Sequence, residues 1–399
     1  MYSLFIYPLE EFEWFSHLNS LETALKHKQA ETALTSYKAL LRNLATQNYA
    51  SLTDAFCDAL LYSETVLDRQ KDLAPGLEQA VLDDIKTCQR LCQSDWTKAV
   101  AELSGSHLPP LEHLLVQQTK PLRNLSHSLL NETAEHVWTL LKTHYQKQGT
   151  GILARFHAFK YSHGAISGIA HPVNISPDRL VSLDKQLKSL EDNTRAFLQG
   201  FNALHCLLYG PRGSGKSTAV RSLLSHFADQ GLRLIELSPT ELEHLTELSE
   251  ELRYRPHKYL LFVDDLSFEQ GDTSYHPLKS MLEGSVSEKA SNILIYATSN
   301  RRHLVKEQFS DRPDPLNDDV HGWDSQHEKL ALSDRFGLTI TFPSPSQSRY
   351  LDIVMGLAQQ EGLEDKGLRE RAIRFAEWGN GYSGRTAQQF IDTAKAGLA

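Results

Sequence analysis

Residues Leu207 to Val220 read LLYGPRGSGKSTAV, and the fold turns on this stretch. Gly210, Pro211, Arg212, Gly213, Ser214, Gly215, Lys216 and Ser217 fit the G-x-x-x-x-G-K-[ST] spacing. That spacing needs glycines so that consecutive backbone N–H groups can turn inward around phosphate oxygens. Lys216 is then placed to reach the outer phosphates and Ser217 to ligate Mg²⁺, with Thr218 completing the binding segment. The flanks agree. His205 to Tyr209 is a short apolar run suited to a buried strand, and Val220, Leu223, Leu224 and Phe227 recur at helical spacing. A strand, a glycine turn and a helix N-terminus make an anion site.

Outward from the loop, apolar runs recur at Leu232–Leu237, Tyr259–Val263, Ile293–Ala297 and Leu338–Phe342, with helical stretches between them. Together with His205–Tyr209 they predict an α/β domain built on a mostly parallel five-stranded sheet covered on both faces. The run YLLFVDD ends in Asp264 and Asp265, which puts two carboxylates at the C-terminal tip of a buried strand, where open α/β sheets bind ligands. Asp264 is expected to support the Mg²⁺ held by Ser217, and Asp265 to orient or deprotonate an attacking water, with Glu269 as the fallback base. Asn300 follows the next strand, where its amide can reach both the water and the γ-phosphate. Arg335 stands before the last strand at a domain edge, and Ser383 and Arg385 open a C-terminal helix as N-cap and first-turn residue.

The remainder of the chain divides by composition. Residues 1–150 read as helical throughout, the clearest case being the stripe Ala134, Val137, Trp138, Leu141 and Tyr145; Pro109-Pro110 is expected to separate two bundles or layers. Residues 151–180 are rich in Gly, His, Ser and aromatics and read as a connector with one short helix or strand. An amphipathic helix ending at Gly200 leads into the α/β domain, residues 181–343, and Pro343-Ser344-Pro345 hands over to a small helical lid, 344–399. Over its 399 residues the chain is 40% hydrophobic with a net charge of −9, which disfavours coating nucleic acid by bulk electrostatics but not a local basic channel. No run suits a membrane span, and the start has no basic flank or cleavage site of a signal peptide. The four cysteines, Cys57, Cys88, Cys92 and Cys206, have neither disulfide-framework nor zinc-site spacing; buried thiols in a reducing cytoplasm are expected.

The order of these parts resembles the AAA+ ATPase superfamily. By that resemblance Gly210–Ser217 corresponds to Walker A, Tyr259–Asp265 to Walker B, Asn300 to sensor 1, Arg335 to the arginine finger and Arg385 to sensor 2. FVDDLSFE, YATSNRRHL and LSDRFG resemble more closely a bacterial group, the domain-of-unknown-function 815 family, over about residues 151–399. The resemblance implies an AAA+ type P-loop NTPase fold with a C-terminal helical lid, to which this chain adds an all-α N-terminal domain. It also implies ATP and Mg²⁺ as cofactors and a homo-oligomer whose Arg335 enters a neighbour's site. Many AAA+ enzymes carry Asp-Glu where this chain has Asp264-Asp265; the shorter Asp265 implies a repositioned water and slow turnover, not a dead enzyme.

Three function classes follow. The first is an ATP-hydrolysing oligomer that remodels or loads a macromolecular partner, protein or nucleic acid, engaged by the N-terminal helices. The second is a slow nucleotide-dependent switch or scaffold. The third, a P-loop kinase, lacks a recognisable acceptor pocket. Between the second and third predicted strands, SPTELEHLTELSEELRYRPHKY has no aromatic-apolar-glycine pore loop, which counts against an unfoldase. Arg301 and Arg302 are alternative finger donors, and the acidic segment 309–329, with His321 and His327, reads as a solvated loop before a metal site or a partner-binding insertion.

Overall fold

The computed structural model describes residues 4–69, 73–114, 120–173, 175–176, 179–268, 275–283, 290–300, 332–344, 346–363, 367–379 and 381–397. Glu269, Arg301, Arg302, His321 and His327 lie outside them. The chain forms two compact units, Met1–Arg155 and Phe156–Ala399.

The first unit is helical. Its helices span Glu13–Lys26, Ala30–Thr46, Leu52–Tyr62, Pro75–Gln93, Trp96–Ser104, Lys120–Asn131, Ala134–Gln148 and Gly151–Arg155. The stripe Ala134, Val137, Trp138, Leu141 and Tyr145 is the buried face of its helix, as the spacing predicts. One core holds residues from before and after Pro109-Pro110, from Trp14 and Phe56 to Leu129 and Leu141, so the proline pair turns the chain within a single bundle and does not divide two. Asp84 closes the start of the unit by accepting from the backbone N–H groups of Phe5, Ile6 and Tyr7 at 2.9, 2.8 and 3.3 Å. The cysteines are free, with Cys57 and Cys88 buried, and no cluster of metal-ligating side chains occurs among the described residues.

The second unit is built on one seven-stranded sheet, not five. Its strands are β1 (Ala158–Ser162), β2 (Ala165–Gly168), β3 (Cys206–Tyr209), β4 (Leu232–Leu237), β5 (Lys258–Val263), β6 (Ile293–Ser299) and β7 (Leu338–Thr341). The order is β2-β1-β4-β5-β6-β3-β7, parallel throughout except for β2. The five apolar runs of the sequence supply β3 to β7. The extra pair is a hairpin inside the stretch read as a connector: His163 and Gly164 take φ of 53° and 74°, the left-handed pair a two-residue turn requires. β1 buries Ala158, Phe159 and Tyr161 but exposes Lys160 between them, and β2 has no buried residue, so neither shows the continuous apolar run that marks β5 and β6. Helices Asp184–Leu198 and Lys216–Phe227 pack one face of the sheet through Leu187, Leu190, Phe197, Val220, Leu223 and Phe227. Helices Gln347–Gln360, Leu368–Trp378 and Gly384–Lys395 make a smaller core of their own around Tyr350, Ala372 and Phe390. The second unit is thus a mostly parallel α/β domain followed by a smaller helical cluster, the C-terminal lid.

Among the described residues no helix is long and apolar enough to cross a membrane. In the first unit His144 packs edge-on to Tyr62 and Tyr145, and its Nε2 is buried without a hydrogen-bond partner among the described residues. Burial pushes its pKa from 6.5 down to about 4. The unfolded chain therefore takes up this proton first as pH falls, so the side chain's contribution is complete above pH ~6.5 and lost toward pH ~4, an effect of up to about 3 kcal/mol. We expect the unfolding midpoint of His144→Phe to fall less between pH 7 and pH 4 than that of the wild type, measured by circular dichroism. Parallel pH profiles would contradict the assignment.

Candidate active site

The glycine loop, both carboxylates and Asn300 hang from the C-terminal ends of β3, β5 and β6, because they begin where these buried strands stop. After β3 the chain turns through Gly210 to Gly215 and enters the helix at Lys216. Gly210 has no room for a side chain: a Cβ there would lie 2.3 Å from the carbonyl oxygen of Phe342, whose own N–H donates to Tyr209 at 2.7 Å. The loop thus crosses directly under the end of β7. Gly213 takes φ +73° and faces the lid, where a Cβ would meet Ser383 at 2.9 Å. The Gly384 N–H donates to the Gly213 carbonyl at 3.0 Å. Ser383 caps its helix by accepting from the Thr386 N–H at 3.0 Å, as its sequence position predicts.

The two adjacent carboxylates are held apart. Asp264 Oδ1 accepts from the hydroxyls of Ser217 and Thr298, both at 2.6 Å. Asp265 adopts a left-handed backbone, φ 54°, which turns its side chain away from that of Asp264. The same Thr298 fixes this turn, its hydroxyl accepting from the Asp265 N–H at 2.9 Å and its carbonyl from the Leu266 N–H at 2.7 Å. Asn300 donates to Asp265 Oδ1 at 2.6 Å and accepts from Lys216 Nζ at 3.1 Å. Lys216 also donates to the carbonyls of Gly210 and Pro211 at 2.7 and 2.9 Å. Burial lowers the Lys216 pKa, Asp264 and Asp265 oppose that shift, and Arg212 adds to it.

These groups face a cavity of about 900 Å³. Arg212, Gly213, Ser214, Gly215, Lys216, Ser217, Thr218, Asp264, Asp265, Asn300 and Arg385 all line it, whereas Gly210 and Pro211 sit behind it and hold Lys216 through their carbonyls. Arg335 is elsewhere. It stands beside the start of β7, in a second cavity with Phe201, Leu204 and Gly337 at the opposite end of the strands. It is not a free surface charge either, since it pairs with Glu283 and its side chain is only 22% exposed. Sequence reasoning missed Thr298, Arg221 and Arg349. Thr298 carries a positional signal, two residues before Asn300 at the end of a buried strand, and Arg221 another, one turn beyond Ser217 on the same helix; Arg349 carries none, because only the folded chain brings it to the cavity.

The donor set fits a phosphate chain with a divalent cation. Ser214 Oγ is buried without a partner among the described residues, the lysine is poised among carbonyl oxygens, and one hydroxyl and one carboxylate meet on the metal side. Gly213→Ala, which puts a Cβ against the lid in a left-handed conformation, is expected to cost about 1–2 kcal/mol. It should also make the lid helix Gly384–Lys395 more open to proteolysis; an unchanged cleavage rate and midpoint would show that loop and lid are not in register.

A model of the family described as protein of unknown function DUF815 matches residues 154–398. No protein of curated function matches the chain. Among solved structures, the Thermotoga maritima RuvB Holliday junction branch migration motor is 13% identical, with a TM-score of 0.38 over 56% of this chain and 64% of that one. A point mutant of the same motor gives 15%, 0.39, 56% and 65%. The likeness therefore spans less than two thirds of those chains, and at these values it transfers no activity. The family model covers more than half of the chain, and with the loop, the paired carboxylates and the lid in place, the chain belongs to the DUF815 family.

Proposed function

We propose that this protein is a Mg²⁺-dependent ATPase of the AAA+ kind that couples ATP hydrolysis to the remodelling or loading of a macromolecular partner, working as a homo-oligomer with a shared active site. One observation carries the reading: Asp264 is tied to Ser217 while Asp265 is tied through Asn300 to Lys216, so a metal-holding and a water-handling carboxylate sit side by side in one cavity. Gly213, Ser214, Gly215, Lys216 and Thr218 bind the phosphates. Ser217 and Asp264 hold Mg²⁺, which when bound neutralises phosphate charge. Asp265 orients the attacking water and accepts its proton, Asn300 positions both, and Arg385 reaches over the phosphates from the lid.

Arg335 supports the shared site, because a side chain at the opposite ends of the strands is far better placed for a neighbour's cavity than for its own. The helical first unit is the natural partner-binding element, whether the partner is protein or nucleic acid, and the proposed compartment is the cytoplasm. A slow switch is the second reading. It is favoured by the short Asp265, whose Oδ1 is already engaged by Asn300 at 2.6 Å and must be released for a water.

Lys216→Ala is expected to abolish binding of a fluorescent ATP analogue while the protein stays folded; unchanged affinity would sink the assignment. Asp265→Asn should keep the analogue bound and slow turnover by about 10²-fold or more. Specific activity should rise with protein concentration. Arg335→Ala should be nearly inactive alone, losing roughly 10³-fold or more, yet regain activity when mixed with Lys216→Ala. Concentration-independent turnover without rescue would favour the self-contained switch.

A further inference from the structure

Arg221 is a charged group of the cavity that the proposed chemistry does not use. It lies one turn beyond Ser217 on the same helix, so the two side chains share a face. Its Nη2 is 3.3 Å from Asp264 Oδ2. Its Nη2 and Nε also donate to Glu236 Oε1 and Oε2 at 3.0 and 3.3 Å, a forked grip on one carboxylate. The guanidinium carbon lies 5.5 Å from the ring centre of Phe262. Glu236 and Phe262 are register partners across β4 and β5, so the anchors of this arginine stand side by side on the sheet.

The two oxygens of Asp264 therefore differ. Oδ1 receives the hydroxyls of Ser217 and Thr298, and Oδ2 receives Arg221. Arg221, Glu236 and Asp264 are each about a third exposed, at 32, 37 and 31%, so a hydrated cation can reach the group. A divalent ion arriving at Asp264 meets a fixed positive charge that already uses the carboxylate. Glu236 offsets that charge and gives the guanidinium somewhere else to lean.

Resting on the reading of this cavity as a Mg²⁺-nucleotide site, we propose that Arg221 is a positioning residue that competes with the divalent cation for Asp264, and that Glu236 sets how strongly it competes. The metal requirement of the site is then adjusted separately from its grip on the phosphates. The two partners act in opposite directions. Removing Arg221 frees Asp264 for the metal, whereas neutralising Glu236 leaves Arg221 with Asp264 as its remaining carboxylate.

The test is a Mg²⁺ titration of the full chain with a fluorescent, non-hydrolysable ATP analogue, read by analogue fluorescence and not by turnover. Half-saturating Mg²⁺ should fall about tenfold in Arg221→Ala and rise several-fold in Glu236→Gln, roughly the effect of one charge a few ångströms from a carboxylate. Arg221→Lys, which keeps the charge and loses the fork, should lie between Arg221→Ala and the wild type. Shifts of the same sign in Arg221→Ala and Glu236→Gln, or none, would overturn the proposal. Should Arg221→Ala not fold, Glu236→Gln must still raise the Mg²⁺ requirement, or the proposal fails. If the wild type binds no analogue, the site reading fails and this proposal with it. If binding is Mg²⁺-dependent and lost in Lys216→Ala while the Arg221 and Glu236 variants match the wild type, only this proposal fails.

Discussion

The site depends on one carboxylate oxygen. Asp264 Oδ1 takes two short hydroxyl bonds, one from the helix that follows β3 and one from the end of β6, and so ties three strand ends to a common point. A carboxylate half-removed from water needs such donors, and each donor gains from meeting a charged acceptor. Thr298 is the pivot, because its hydroxyl gives to Asp264 and receives from the Asp265 backbone. That double role converts two neighbouring residues of one strand end into two groups facing different parts of the cavity. The left-handed backbone at Asp265 is a local cost that the Thr298 and Asn300 contacts offset.

How far this was legible in sequence differs by element. β3 to β6 were readable because strands in the middle of a parallel sheet are buried on both faces and leave unbroken apolar runs, and β7, at the edge, because Leu338, Ile340 and Phe342 recur at every second position. β1 and β2 were not. Lys160 interrupts the buried residues of β1 and β2 is covered only in part, and their sequences, AFKYS and AISG, mix small and polar types as a connector does. The loop and the carboxylate pair were equally plain, since backbone turns and strand ends impose local residue types. Arg349 and the pairing of Arg335 with Glu283 had no local signature, because each depends on which segments meet in space; Arg221 is one helical turn from Ser217, but its carboxylate partners come from β4 and the end of β5.

The first unit follows a different logic. Its helices bury large aromatic side chains, with Trp14 in edge contact with Phe15 and Phe56, and it also buries several polar groups. Those groups are placed. Asp84 collects three backbone N–H groups near the chain start, and Asp58 takes both the Tyr49 hydroxyl at 2.9 Å and Arg155 at 2.6 Å. Tyr145 OH donates to the Leu60 carbonyl at 2.5 Å and meets the Tyr7 hydroxyl at 2.9 Å. Such contacts fix which helix lies against which, a task that interchangeable leucines perform poorly. They give the unit a defined surface, although its sequence carries no recognisable chemistry.

The strand order has a consequence for how the second unit comes into being. β3, which carries the phosphate loop, pairs with β6 and β7, and both are made long after it in sequence. β1 likewise waits for β4. Only β1–β2, β4–β5 and β5–β6 pair strands that follow one another in the chain, so β3 joins the sheet through contacts distant in sequence and the entropy of closing those loops must be met first. The loop is thus an early sequence and a late structure. A nascent chain exposes LLYGPRGSGKSTAV long before any cavity surrounds it, and Gly210 gains its close packing against Phe342 only when β7 has paired with β3.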